Sequence, residues 1–198
     1  MIPRRPVWLP PLLLLCWAAL APADAISPAG ERLARVLDGM GVEQLWQPGQ
    51  PINWRTGAFD PRSRQHATHC SAFVAAACDR MGVYILRPPE HGQTFLANAQ
   101  NEWLKQVGPR MGWWRVGSPV EAQRLANRGY LVVVSYRNPN PHKPGHIALV
   151  RPSDKTPQQI EEEGPQIIQA GARNASSISL RLGFAHHPHA WEGRGVEF

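Results

Sequence analysis

Cys70 stands where an enzyme would hold a nucleophile. It lies near the start of 68–82, a segment predicted to be helical because its apolar residues recur at helical spacing, with Thr68 as N-cap and Gly82 as the stop. The free N–H groups and positive dipole end of a helix N-terminus stabilise a thiolate, and the Cys70 N–H could also donate to an oxyanion. Position alone leaves a catalytic and a structural role for Cys70 equally open.

His146 is the histidine whose surroundings best suit a general base. It opens 145–150, a run rich in Ile, Leu and Val that is predicted to be a strand after a proline-bounded turn. His142 lies four residues earlier, but Pro141 and Pro144 exclude a helix there and weaken a metal-site interpretation of the histidine pair. A buried structural histidine at a strand start is the alternative role for His146.

The C-terminal histidines form a weaker pattern. His186, His187 and His189 are clustered, but Pro188 interrupts the run and no cysteine pair accompanies it, so a polar surface loop is favoured over a zinc site. The sequence therefore predicts no metal and no other cofactor.

Cys70 and Cys78 are predicted to remain free thiols. Secreted proteins usually pair their cysteines, which makes a disulfide the first interpretation to test. Eight residues along one helix correspond to a rise of about 12 Å, whereas bridged Cα atoms lie within ~7 Å of each other. Cys78 is then explained as a small buried side chain.

The first 25 residues are predicted to be a secretory signal peptide. Two arginines precede the apolar stretch 9–20, and small residues follow it, with cleavage predicted after Ala25. The apolar stretch is shorter than the ~20 residues that span a bilayer, so no stable membrane insertion is expected. A lipoprotein site at Cys16 and twin-arginine export are weaker alternatives. The mature protein, 26–198, is expected to be secreted or periplasmic.

Length and composition favour one globular domain over 26–198. Its length is typical of single domains, and 43% hydrophobic residues argue against disorder. The net charge is +6, and losing two arginines and one aspartate with the signal peptide leaves (21 − 2) − (15 − 1) = +5. That charge suits an anionic cell wall, but no Lys/Arg run with interleaved aromatic residues indicates nucleic acid.

The remaining patterns place helices before strands. Further helices are predicted at 31–37, at 93–106, where Phe95, Leu96, Ala99 and Trp103 share a face, and after a capping box at 118–121. Further strands are predicted at 129–136, 166–170 and 176–184. This order predicts an α+β domain with an antiparallel sheet.

The two motifs together resemble a known superfamily. The segment 68–74 (THCSAFV) resembles the Cys-Ser-Gly-Phe-Val helix start of the NlpC/P60 secreted cysteine peptidases and amidases, and 145–150 (GHIALV) resembles their histidine strand. Gln169 is similar to the polar residue that this superfamily carries on the next strand. The CHAP amidases, a sister group, are equally similar. The resemblance implies a papain-like fold in which N-terminal helices, including the nucleophile helix, pack on an antiparallel sheet.

The same resemblance implies a secreted cysteine hydrolase, an amidase or endopeptidase, that cleaves amide bonds in peptidoglycan stem peptides. Cys70 would be the nucleophile, His146 the general base and then acid, and Gln169 the group that orients the imidazole. An ordinary polar strand residue is the alternative role for Gln169. An acyltransferase on the same fold and a non-catalytic wall-binding or interaction protein are the alternative functions.

Residues that flank the motifs are predicted to contact the substrate. They are Trp54, His69, Ser71, Trp103, Trp113 and Trp114. Trp54 lies in the segment that aligns with the upstream tyrosine motif of the peptidoglycan-cutting members of this superfamily. The three later tryptophans lie in the predicted insertion 86–114. Core packing is their alternative role. The second oxyanion donor is left open among Asn53, Gln65 and His69. His69, Ala72 and Tyr130 differ from the residues usual in the superfamily.

Overall fold

The computed structural model describes residues 25–63 and 68–198. The predicted signal peptide, with Cys16, lies outside the described residues except for Ala25. Gln65, one candidate oxyanion donor, also lies outside them. Within the described ranges, no helix has the length and apolarity to cross a membrane.

The described part of the chain is a mixed α+β structure with six helices and one five-stranded sheet. The helices are α1 (Pro28–Asp38), α2 (Cys70–Arg80), α3 (Leu96–Gln106), α4 (Pro119–Asn127), α5 (Pro157–Glu163) and the short α6 (Leu180–Gly183), with a 3-10 turn at Gly108–Met111. The strands are β1 (Val132–Tyr136), β2 (His146–Val150), β3 (Gln166–Gln169), β4 (Ala175–Ser179) and β5 (Val196–Glu197).

The sheet has the order β4-β3-β2-β1-β5, and every neighbouring pair is antiparallel. All residues of β1 and β2 are buried, because both faces of the sheet are covered. Strands buried on both faces are apolar along their length rather than alternating, which explains the continuous apolar runs in the sequence. The predicted α+β class with an antiparallel sheet is confirmed.

Strand alternation divides the core into two clusters. One cluster lies between the sheet and α1 and α2, and it includes Ile147, Leu149 and most of α2. The other lies on the opposite face and joins Ala148 and Val150 to α4 and the segment around Phe184. Side chains that succeed each other along β2 therefore belong to different clusters, as the period of a strand requires.

The helix that carries Cys70 is buried on every side. Residues from Cys70 to Cys78 are all buried, which is typical of a helix that is apolar all round. The prediction of Thr68 as N-cap is wrong: His69 holds the N-cap position without a side-chain cap, and its carbonyl accepts the Phe73 N–H. The helix ends before Gly82, whose φ of +70° terminates it as predicted.

Two other predicted segments differ from the structure. The helix expected at 93–106 begins only at Leu96, because Phe95 has a φ of +52° and its ring is exposed. The strand expected at 176–184 ends at Ser179, whose hydroxyl accepts the Leu182 N–H and starts α6. The helix α5, which begins with a capping box between Thr156 and Gln159, was not predicted.

Candidate active site

Cys70 is the first residue of α2, and its side chain meets the backbone of β2. The backbone N–H groups of Cys70 and Ser71, at the helix N-terminus, and of Ile147 lie near the sulfur, and each lowers the pKa of the thiol. Ile147 follows His146 directly in the strand. The structure therefore brings the thiol beside the peptide unit that joins His146 to Ile147. Cys70 and Cys78 are both free and buried, as predicted.

His146 and Gln169 are joined by a buried hydrogen bond. The distance from His146 Nε2 to Gln169 Oε1 is 2.8 Å, across the neighbouring strands β2 and β3. The Gln169 amide nitrogen donates to the carbonyl oxygen of Arg173 at 3.0 Å, so the amide oxygen is the atom turned toward the imidazole. An amide oxygen can only accept a hydrogen bond. Nε2 must then carry the proton, and Nδ1 is left as the basic nitrogen of the neutral ring.

Two rings from the C-terminal segment pack on His146. Phe184 approaches edge-on with the ring centroids 4.5 Å apart, and His187 stacks nearly parallel with the centroids 5.6 Å apart. Both lie on the face of the sheet opposite α2, where Phe184 belongs to the second core cluster. The contribution of His187 was missed at the sequence level, because His186, His187 and His189 resembled a polar surface loop.

His146 and Gln169 are in contact, Cys70 meets the strand next to His146, and all three residues are nearly closed to solvent. Relative exposure is 5% for Cys70, 6% for His146 and 3% for Gln169. No hydrogen bond joins the Cys70 sulfur to the His146 ring in the described part of the chain, where the sulfur lies beside backbone N–H groups instead. Because Nε2 is bonded to Gln169, Nδ1 is the ring nitrogen that stays available as a proton acceptor.

Burial dominates the electrostatics of both reactive groups. It raises the pKa of the Cys70 thiol to about 11, against the three N–H donors that lower it. Burial also lowers the pKa of His146 to about 4; the hydrogen bond to Gln169 raises it, and the charges of His187 and His186 lower it. Desolvation thus outweighs the effect of the helix N-terminus on the pKa of Cys70, and both groups are neutral at pH 7.

His69 and Ser71 are buried beside Cys70 and are already engaged. His69 is 0% exposed and its Nε2 lies 2.9 Å from the carbonyl oxygen of Gln50, which ties the helix start to an N-terminal loop. The Ser71 carbonyl accepts a hydrogen bond from the buried amide of Gln100 at 3.1 Å. Both residues were predicted to contact the substrate; in this arrangement they hold the start of α2 in place.

Trp54 lies at the other end of α2. The guanidinium groups of Arg55 and Arg87 lie over its ring, and both arginines pair with Asp79. Asp79 is nine residues beyond Cys70, which corresponds to a helix rise of about 13 Å. The structure therefore does not bring Trp54 to Cys70. Asn53, beside it, accepts the N–H groups of its own turn.

Of the three later tryptophans, Trp103 lies on α3, and Trp113 and Trp114 follow the 3-10 turn Gly108–Met111. Trp103 packs edge-on against Tyr84, and Trp113 donates to the Tyr84 carbonyl oxygen at 2.9 Å. Trp114 is 60% exposed and packs against Tyr130. Trp113 and Trp114 line a cavity of about 270 Å³ that none of Cys70, His146 and Gln169 lines. Trp103 and Trp113 also pack against the core cluster that contains Cys70, so core packing accounts for them, while Trp114 lies at this cavity.

The first candidate oxyanion donor is where the sequence predicted it. The Cys70 N–H is at the helix start, while the second donor stays unassigned. Over residues 25–63 and 68–198, no group of three His, Cys, Asp or Glu side chains could hold a metal ion.

Comparison with known proteins leaves the resemblance at the level of motifs. No family model matches the sequence, and no curated protein matches it significantly. The assignment of chemistry to this chain therefore depends on the geometry around Cys70, His146 and Gln169.

Proposed function

We propose that this protein is a secreted cysteine hydrolase of the papain-like, NlpC/P60 type. The observation that carries the proposal is the buried 2.8 Å hydrogen bond between His146 and Gln169, beside the β2 backbone that contacts the Cys70 sulfur. It supports a neutral imidazole with a basic Nδ1, on the strand whose backbone meets a thiol at a helix N-terminus. Those are the parts that acyl transfer through sulfur requires.

The proposed reaction begins with proton transfer from the Cys70 thiol to His146 Nδ1. The sulfur attacks the carbonyl carbon of the scissile amide, and the oxyanion accepts a hydrogen bond from the Cys70 N–H. The tetrahedral intermediate expels the amine, which takes the proton from Nδ1, and a thioester remains on Cys70. A water molecule that gives its proton to His146 then hydrolyses the thioester, and the proton returns to sulfur.

Burial determines when the first proton moves. The pKa values of about 11 for Cys70 and about 4 for His146 differ by 11 − 4 = 7 units. At 1.36 kcal/mol per unit, forming the separate ions costs about 10 kcal/mol before their mutual attraction. A resting thiolate–imidazolium pair is therefore disfavoured. Proton transfer is expected to accompany attack, once the substrate has brought sulfur and Nδ1 within hydrogen-bond distance.

Peptidoglycan stem peptides are the proposed substrate class. The mature net charge of +5 favours binding to an anionic cell wall. The motif resemblance points in the same direction, since it is to enzymes that act on amide bonds in that polymer. The signal peptide predicted over residues 1–25 would deliver the protein to that compartment.

The test compares three mature proteins on purified murein sacculi. Wild type and Cys70→Ala are assayed for release of new amine ends, with Cys78→Ala as the matched control because Cys78 is a buried thiol on the same helix. We expect release by wild type and Cys78→Ala and none by Cys70→Ala. Equal release by wild type and Cys70→Ala would contradict the proposal.

A non-catalytic wall-binding protein is the second candidate function. The low exposure of all three site residues favours it, because a binding protein needs no open nucleophile. It predicts that wild type and Cys70→Ala bind sacculi equally and that neither releases amine ends. An acyltransferase on the same fold would instead transfer the acyl group to an added amine in preference to water.

A further inference from the structure

The turn between β3 and β4 holds both ends of the His146–Gln169 pair. Its residue Arg173 provides the carbonyl oxygen that accepts from the Gln169 amide nitrogen at 3.0 Å. Its residue Gly171 lies against the imidazole, since a Cβ atom there would be 3.2 Å from His146 Cε1. The conformation of this one turn thus determines which way the Gln169 amide faces and how close the backbone comes to the imidazole.

Asn174 fixes this turn to a distant part of the chain. Its Oδ1 accepts the Gly171 N–H at 3.0 Å, which closes the turn from within. Its Nδ2 lies within hydrogen-bond distance of three carbonyl oxygens in the loop after α1, those of Val42 at 2.9 Å, Leu45 at 3.0 Å and Trp46 at 3.1 Å. One amide therefore connects the turn beside His146 to a rigid, buried region that includes Trp46.

The orientation of the Gln169 amide is what selects the histidine tautomer. With the amide nitrogen held by Arg173, the oxygen faces Nε2 and requires the proton to be there. If the turn is released, the Gln169 amide can rotate and present its NH₂ group to Nε2. The ring would then place its proton on Nδ1, and the nitrogen that accepts the proton in the proposed reaction would no longer be basic.

We propose that Asn174 is a positioning residue that keeps His146 in the Nε2–H tautomer by anchoring the 170–174 turn. The effect on the tautomer is a property of the folded protein. Its effect on catalysis rests on the proposed hydrolase function. Loss of the anchor should lower kcat by about 10- to 100-fold, the scale expected when a catalytic group is displaced by about 1 Å, with less change in KM.

Glu43 provides a matched control, because it also joins the loop after α1 to the β3–β4 region. Glu43, in the same loop, accepts hydrogen bonds from the N–H and hydroxyl of Ser176, at 2.9 and 2.6 Å. These bonds join the loop to β4 without touching Gly171 or Arg173. Glu43→Ala should therefore loosen the same two segments while leaving the His146 ring as it is. Gln169→Ala, which removes the acceptor itself, serves as the positive control.

The experiment records the ring nitrogen resonances of ¹⁵N-histidine-labelled protein at pH 7.5, with His146 assigned from the His146→Gln variant. We expect wild type and Glu43→Ala to have the Nε2–H tautomer, and Asn174→Ala and Asn174→Ser to have mixed populations, as Gln169→Ala does. A changed tautomer in the Asn174 variants, together with a wild type that cleaves no substrate, would support the positioning role while removing the hydrolase proposal.

Three results would overturn the inference. The first is a folded Asn174 variant whose His146 resonances match the wild type. The second is a wild type that already has the proton on Nδ1. The third is failure of both Asn174 variants to fold while Glu43→Ala folds, because Asn174 would then serve stability alone.

Discussion

Protonation of His146 should make the folded protein measurably less stable in mild acid. The ring is buried against Phe184 and His187, and burial lowers its pKa from 6.5 to about 4. The unfolded chain therefore binds this proton at higher pH than the folded chain does. Stability contributed by the neutral ring is complete above pH 6.5 and is lost as the pH falls toward 4.

The size of the loss follows from the two pKa values. Proton linkage between an unfolded pKa of 6.5 and a folded pKa of about 4 removes about 2 kcal/mol by pH 5 and about 3 kcal/mol by pH 4. Most carboxylates are still ionised at pH 5, so the loss there can be measured before general acid unfolding. That loss is a large fraction of the 5–15 kcal/mol by which domains are typically stable, taken as an order of magnitude.

The assay is urea unfolding of wild type and His146→Gln at pH 7 and pH 5. Glutamine does not titrate, and the other groups that respond to acid, including His69 and His187 with lowered pKa values, are present in both proteins. The difference between the two pH-dependent losses isolates His146. We expect wild type to lose about 2 kcal/mol more than His146→Gln between these pH values.

Equal losses in the two proteins would refute the reasoning, since the ring would then titrate as it does in the unfolded chain. A direct titration of the His146 ring resonances provides the independent check. A midpoint near 6.5 would mean that the ring is solvated, and that the geometry around Phe184 is not the one described.

Three further predictions concern residues around the site. Burial raises the pKa of Cys70 to about 11 and that of Cys78 to about 12. Both thiols should therefore resist iodoacetamide in the native protein at pH 8 and react in urea, and the free energy of unfolding should fall as the pH rises above 9. Rapid labelling of the native protein would contradict the burial. Gly183→Ala should lower the free energy of unfolding by about 1–3 kcal/mol, because its Cβ atom would lie 2.6 Å from Ile167 Cδ1 and 2.8 Å from Gln169 Oε1. An unchanged urea midpoint would show that the contact is not tight. Gln123→Ala should lower the free energy of unfolding by about 2–4 kcal/mol, since this buried amide donates to the Arg151 carbonyl oxygen and accepts the Gln166 N–H. A loss below about 0.5 kcal/mol would mean that water replaces the amide.

The elements that carry the candidate site could be predicted because their signals are local. The helix that begins at Cys70 and the strand that begins at His146 are marked by apolar runs and by bounding glycine and proline residues. The predictions of secondary structure fail where a local pattern is compatible with both a strand and a helix. In segment 176–184 the apolar residues from Ile178 onward alternate with polar or small ones, as in a strand, and the cap formed by Ser179 turns its second half into a helix.

The contacts that define the site could not be predicted in the same way, because they join distant positions. Asn174 bonds to Val42 across 132 residues, and nothing in the sequence around either residue indicates the pairing. His187 resembles a surface residue until the fold stacks it on His146. The tautomer of His146 depends on these contacts, so it becomes visible only when the chain is folded.

A neutral third residue suits the burial of this site better than a carboxylate would. A carboxylate at the position of Gln169, which is 3% exposed, would need a compensating positive charge, and the buried imidazole has too low a pKa to provide one at pH 7. The Gln169 amide is satisfied at both ends, by His146 and by Arg173, and it fixes the tautomer without adding charge. In the proposed reaction, the imidazolium would gain less stabilisation from this amide than from a carboxylate. Gln169→Glu should therefore raise the pKa of His146 while destabilising the fold, and a variant that does neither would contradict this account of the site.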